Sequence, residues 1–100
     1  MKARTLIATG AAVAALVLMP VAAAGGATEP VGGGLWTYGV TSSTVFSNYH
    51  HPTKYHSSTA CNSGVIGDRC RQDVDVAGAW SEASISKSWD GGNTAYWNTY

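Results

Sequence analysis

The sequence has no excess of basic charge: six Lys and Arg stand against six Asp and Glu in 100 residues. Phosphate-backbone recognition needs clustered cations, so nucleic acid is excluded as a partner. Simple electrostatic adsorption to an anionic membrane is excluded on the same ground. The apolar run at residues 6–18 is shorter than the roughly 20 residues that a membrane-spanning helix needs. There is no Gly-x-Ser-x-Gly, no His-Glu-x-x-His and no phosphate loop, and an enzyme is not expected. Cysteine is limited to two residues without Cys-x-x-Cys spacing, which is weak support for a zinc site. No internal repeat is visible.

The first part of the chain has the three-part pattern of a secretory signal peptide. Lys2 and Arg4 make a positive start, residues 6–18 an apolar centre, and Pro20 precedes small residues up to Ala27. A membrane anchor would need a stop-transfer flank, which is missing. Gly25-Gly26 suggests a double-glycine leader, but such leaders lack a long apolar core. Small residues at 22–24 and 25–27 both suit a signal peptidase, and a cut between Ala27 and Thr28 is favoured. The expected organisation is therefore a leader at 1–27, a flexible Gly-rich arm at 28–34 and one domain at 35–100, secreted to the extracellular space. Without the leader, four bases (Lys54, Arg69, Arg71, Lys87) face six acids, a net charge of minus two. In an oxidising route Cys61 and Cys70 are expected to pair. Closing so short a loop is worth about 2–3 kcal/mol on the chain-entropy model. The four tryptophans, five tyrosines and one phenylalanine all lie beyond the leader, and they compensate for the small size of the core.

Strand periodicity starts at Leu35. Trp36, Tyr38 and Val40 alternate onto one face, and Val45, Ser47 and Tyr49 onto one face of a second strand at residues 44–50. Pro52 cannot donate to a ladder and presets a turn. Residues 54–60 read as a third strand, completing an antiparallel meander. Cys61 and Cys70 bracket turn signals, as a looped excursion pinned at its base. Residues 76–86 fit two patterns. Val76, Trp80 and Ala83 have helical spacing, whereas Ala79, Ala83, Ile85 and Trp89 share a strand face interrupted by Ser81 and Lys87. Gly78 and the serines are poor helix formers, so strand is preferred. Asp90-Gly91-Gly92-Asn93 reads as a hairpin turn before a last strand at 94–99. Two such meanders predict an all-β fold, a small sandwich of two three-stranded antiparallel sheets.

The segments Gly34-Leu35-Trp36-Thr37-Tyr38-Gly39-Val40, Val45-Phe46-Ser47-Asn48-Tyr49-His50-His51 and Lys54-Tyr55-His56-Ser57 resemble the lactococcin 972 family of secreted bacteriocins. Residues 77–83 and Ala95-Tyr96-Trp97 fit the same pattern in the same order. The resemblance implies an exported β-sandwich of two three-stranded sheets that acts outside the target cell without forming pores. It implies binding of the cell-wall precursor lipid II and a block of septum formation in related bacteria. It also implies producer immunity and export proteins as partners, and membrane contact only through a lipid-linked target. The cysteine loop departs from the pattern, since family members need not carry cysteines.

All three histidines lie in the stretch 47–58, which reads as a hairpin around Pro52. His50, His51 and His56 with Cys61 suggest a zinc site, but neighbouring His50 and His51 point to opposite strand faces. No metal and no cofactor are expected. Anion recognition is the functional reading: Lys54 and the turn backbone supply donors, and a protonated histidine adds charge. Tyr49, His50, His51, Lys54 and His56 are the candidates there. Trp89 and Trp97, near turns and ends, are candidates for a stacking platform, while Trp36 and Trp80 are expected in the core. Arg69 and Arg71 are expected to pair locally with Asp68 and Asp73. The second reading is a structural or adhesive module binding cell-envelope glycans, and self-association is open. A small wall hydrolase is the third.

Overall fold

The computed structural model describes residues 17–19, 25–64 and 67–100. Strand alternation is realised there as β1 (Val17–Met19), β2 (Gly25–Val31), β3 (Gly34–Val40), β4 (Thr44–His50), β5 (His56–Gly64), β6 (Gly67–Asp75), β7 (Trp80–Ser86) and β8 (Asn93–Thr99). They form two antiparallel sheets, ordered β1-β8-β5-β6 and β2-β3-β4-β7. The all-β architecture of two facing sheets is thus the one expected, and residues 80–86 are strand rather than helix. Each sheet carries one strand beyond three, β1 in one and β2 in the other. β1 lies within the expected leader, of which residues 1–16 and 20–24 fall outside the described residues. The cut expected between Ala27 and Thr28 falls inside β2.

Within 28–34, expected as a flexible arm, residues up to Val31 pair with β3, and Val31 stands opposite Gly34. Gly32 and Gly33 have φ of +59° and +89°. Two consecutive left-handed residues make the two-residue hairpin turn whose twist matches paired strands. The glycines here specify a turn instead of loosening the chain. Pro30 is tolerated because β2 is an outer strand and needs no donor on its free side.

Side-chain faces follow the period of two. Trp36, Tyr38 and Val40 of β3, and Val45, Ser47 and Tyr49 of β4, are buried. With Ala60, Ala83 and Ala95 from the other strands they make the core. The indole Nε1–H of Trp36 donates to Ser47 Oγ at 2.9 Å. The Ser47 hydroxyl in turn donates to the Tyr96 carbonyl of the opposite sheet at 2.8 Å. A polar relay therefore crosses the core with its donors used, as burial demands.

Strand partnership departs from a simple meander. β3 and β4 pair as expected, but β5 leaves for the other sheet, and β7 takes the place beside β4. Residues 51–55 are a crossover between sheets, not a hairpin turn. The stretch between the cysteines is also corrected: it belongs to a β5–β6 hairpin with Cys61 directly opposite Cys70. The two are disulfide-bonded with a Cα–Cα distance of 4.1 Å. Residues 90–93 join β7 to β8 across the sheets, so they too are a crossover rather than a hairpin.

Candidate functional site

One end of the sandwich collects the connections 32–33, 51–55 and 76–79. His51 ties them together. Its Nδ1 accepts the Thr53 and Lys54 amides at 3.2 and 3.0 Å. Its Nε2–H donates to the Gly32 carbonyl at 3.1 Å. Its backbone carbonyl accepts the Gly78 amide at 2.8 Å. His51 is buried, and both ring nitrogens are engaged.

His56 is fully buried as well. Its Nδ1 and Nε2 face the carbonyls of Lys54 and Ala79, each at 2.8 Å. A neutral imidazole has one N–H, so only the doubly protonated ring donates to both acceptors. Tyr49 is buried between these rings, 5.6 Å from His56 and 5.3 Å from Trp97, and its hydroxyl donates to the Val31 carbonyl at 2.8 Å. Burial raises the Tyr49 phenol to about 12. The Tyr38 phenol is likewise raised to about 12, first by burial and then by the Glu29 carboxylate that accepts its hydrogen bond.

Tyr49, His51 and His56 are therefore committed to holding this end closed. Trp97 is half-buried against the core, with its ring beneath the Gly32 turn. Lys54 is exposed, and His50 is half-buried on the outer face. Trp89 is 76% exposed and lies at the far end, where the Lys87 ammonium sits 4.7 Å above its ring. The candidates thus divide: His50 and Lys54 face outward at one end, Trp89 faces outward elsewhere, and Tyr49, His51, His56 and Trp97 pack or hydrogen-bond within the fold.

Residues that the sequence reading passed over complete the outward surface. Trp80, expected in the core, is 40% exposed, because Ser81, Ala83 and Ile85 occupy the inner face of β7. Its ring lies 5.4 Å from that of His50, its register partner on β4. Leu35 stands opposite His50 on the other side, so Leu35, His50 and Trp80 form a row across three strands. Tyr55 and Tyr100 pair at 6.1 Å, with the Tyr100 hydroxyl 3.1 Å from Ser57 Oγ of the other sheet, and Val76 lies in the connection before β7. Of the seven large hydrophobic residues exposed among the described residues, all but Trp89 lie at this end. The alternation of Ala83 and Ile85 already placed Trp80 outward; its size argued the other way.

A family model described as "Bacteriocin (Lactococcin_972)" matches residues 32–97. The chain belongs to the lactococcin 972 bacteriocin family. Among solved structures it is similar to lactococcin 972, with a TM-score of 0.58 and 33% identity over 67% of this chain and 98% of that one. No curated protein matches the chain. The lactococcin 972 match runs from the Gly32 turn to Trp97, so it takes in β3 through β8, the disulfide and most of the aromatic end, and leaves β1 and β2 outside.

Proposed function

We propose that the protein is exported, is cut after Ala27, and acts as an antibacterial that binds lipid II and blocks septum formation in related bacteria. The observation that carries this reading is the outward row of Leu35, His50 and Trp80 across β3, β4 and β7, at the end that also presents Lys54. An exposed apolar patch rimmed by polar groups marks an interaction surface. Lipid II joins an apolar chain to a pyrophosphate and amide-bearing sugars. The aliphatic and aromatic side chains suit the chain and sugar faces, and the Lys54 ammonium suits the pyrophosphate as a point charge. His51 and His56 serve the site by holding the backbone of 51–55 in place.

Purified protein spotted on lawns of related bacteria is expected to inhibit growth and division, with septa missing under the microscope. Excess added lipid II is expected to abolish the inhibition. Inhibition that persists unchanged in its presence overturns the lipid II reading.

A further inference from the structure

β6 and β7 are each the outer strand of their sheet, and they border the same open side of the sandwich. Two hydrogen bonds tie the two sheets together along this side. The Glu82 amide donates to Asp73 Oδ2 at 2.9 Å. Towards the other end the Asn62 side-chain amide of β5 donates to the Ser86 carbonyl at 2.7 Å. Between these ties the sheet edges part into a cleft of about 470 Å³, lined by Asn62, Arg69, Cys70, Arg71, Ile85 and Ser86.

Among the described residues that line it, two carry guanidinium groups and none carries a carboxylate. Arg69 and Arg71 are two residues apart on one strand, so they share a face with Cα atoms about 7 Å apart. The residue between them, Cys70, is bonded to Cys61 of the neighbouring strand, which anchors this edge strand against peeling away. Like charges at this spacing repel, and the geometry holds them together. Half of the four cations beyond residue 27 stand in this one cleft of an otherwise acidic chain.

We propose that this cleft is a second binding site, for a phosphate-type oxyanion. One guanidinium fork satisfies a planar carboxylate; a tetrahedral, doubly charged group has oxygens to offer two forks. The cleft has more room than one phosphate fills, so the phosphoryl group arrives as an ester, from a soluble molecule or from a lipid headgroup. The site is separate from the aromatic end and does not depend on lipid II being bound there.

The test is an NMR titration of the oxidised full chain, following the Arg69 and Arg71 Nε–Hε signals and, in every variant, the backbone amides of residues 69–71 and 85–86. One arm adds inorganic pyrophosphate; the other adds phosphatidylcholine vesicles with and without phosphatidic acid. Movement of both arginine signals in either arm is expected, with binding at least tenfold weaker in R69Q/R71Q and unchanged in Lys87→Ala. A response to pyrophosphate assigns a soluble phosphate ester, and a response to phosphatidic acid alone assigns a headgroup. Silence in both arms, or a response that R69Q/R71Q retains, overturns the site whether or not lipid II inhibits the killing activity.

Discussion

His51 and Gly32 are nineteen residues apart and meet through an Nε2–H to carbonyl hydrogen bond of 3.1 Å. The same ring accepts two amides from the connection that follows β4. One buried imidazole therefore fixes the β2–β3 turn, whose glycines need left-handed conformations, to the crossover that presents Lys54. Because Nδ1 accepts, the ring is the neutral Nε2–H form.

Replacing His51 by Ala leaves these groups without their partner inside the fold. A loss of about 2–4 kcal/mol is expected from several unmade hydrogen bonds. Urea unfolding of the two proteins checks it. A change within 0.5 kcal/mol, the range of ordinary surface substitutions, would show that water replaces the ring at no cost.

Alkaline pH should unfold the domain through its buried phenols. Tyr49 has a folded pKa of about 12 against an ordinary 10.0. Below pH 10 the phenol is protonated in both states and its contribution is complete. Between 10 and 12 only the unfolded chain releases the proton, so stability falls, by about 3 kcal/mol at the upper end. Tyr38 acts in the same direction. Urea midpoints at pH 9, 10 and 11, with tyrosinate absorbance, measure the slope, and Tyr49→Phe should flatten it.

Two tryptophans should behave in opposite ways. Trp36 is fully buried, and Trp36→Ala is expected to cost about 3–5 kcal/mol. Trp80 is 40% exposed, so Trp80→Ala should cost less than about 1.5 kcal/mol while weakening lipid II binding severalfold. Thermal melts and a lipid II pull-down separate the two effects. Equal destabilisation by both would contradict the outward placement of Trp80.

Lys54→Ala should weaken lipid II binding without moving the urea midpoint, because the side chain is exposed. His56→Leu should lower that midpoint instead, by at least about 2 kcal/mol, since the Lys54 and Ala79 carbonyls lose the ring nitrogens that face them. Replacement of His51 or His56 therefore reports on folding, whereas replacement of the outward Lys54 reports on recognition.

Reduction of Cys61–Cys70 should cost about 2–3 kcal/mol. Unfolding with and without a phosphine reductant gives the difference. The aromatic end lies away from this bond, so growth inhibition by protein that stays folded should survive reduction.

Much of this was legible from residues alone. The alternation in Leu35–Val40 and in 44–50 identified both strands and their inward faces, because a period of two has one physical reading when one face is apolar. The resemblance carried by 34–40, 45–51 and 54–57 pointed to the family. The histidines were legible only as a cluster. Whether a polar ring serves a ligand or the backbone depends on which carbonyls and amides surround it, and those around His51 and His56 come from residues as distant as Gly32 and Ala79.

The sequence by itself determined that the region from Leu35 onward is built of strands, which side of β3 and β4 turns inward, and which two cysteines pair. Tertiary structure decided where each strand goes. Alternation fixes a buried face, and that face is buried equally well beside the previous strand or across from it. The departure of β5 to the other sheet turned the Pro52 segment into a crossover, took two imidazoles into the interior, and left Lys54 exposed next to Tyr55. That choice rests on contacts between residues far apart in the chain, which no local pattern records.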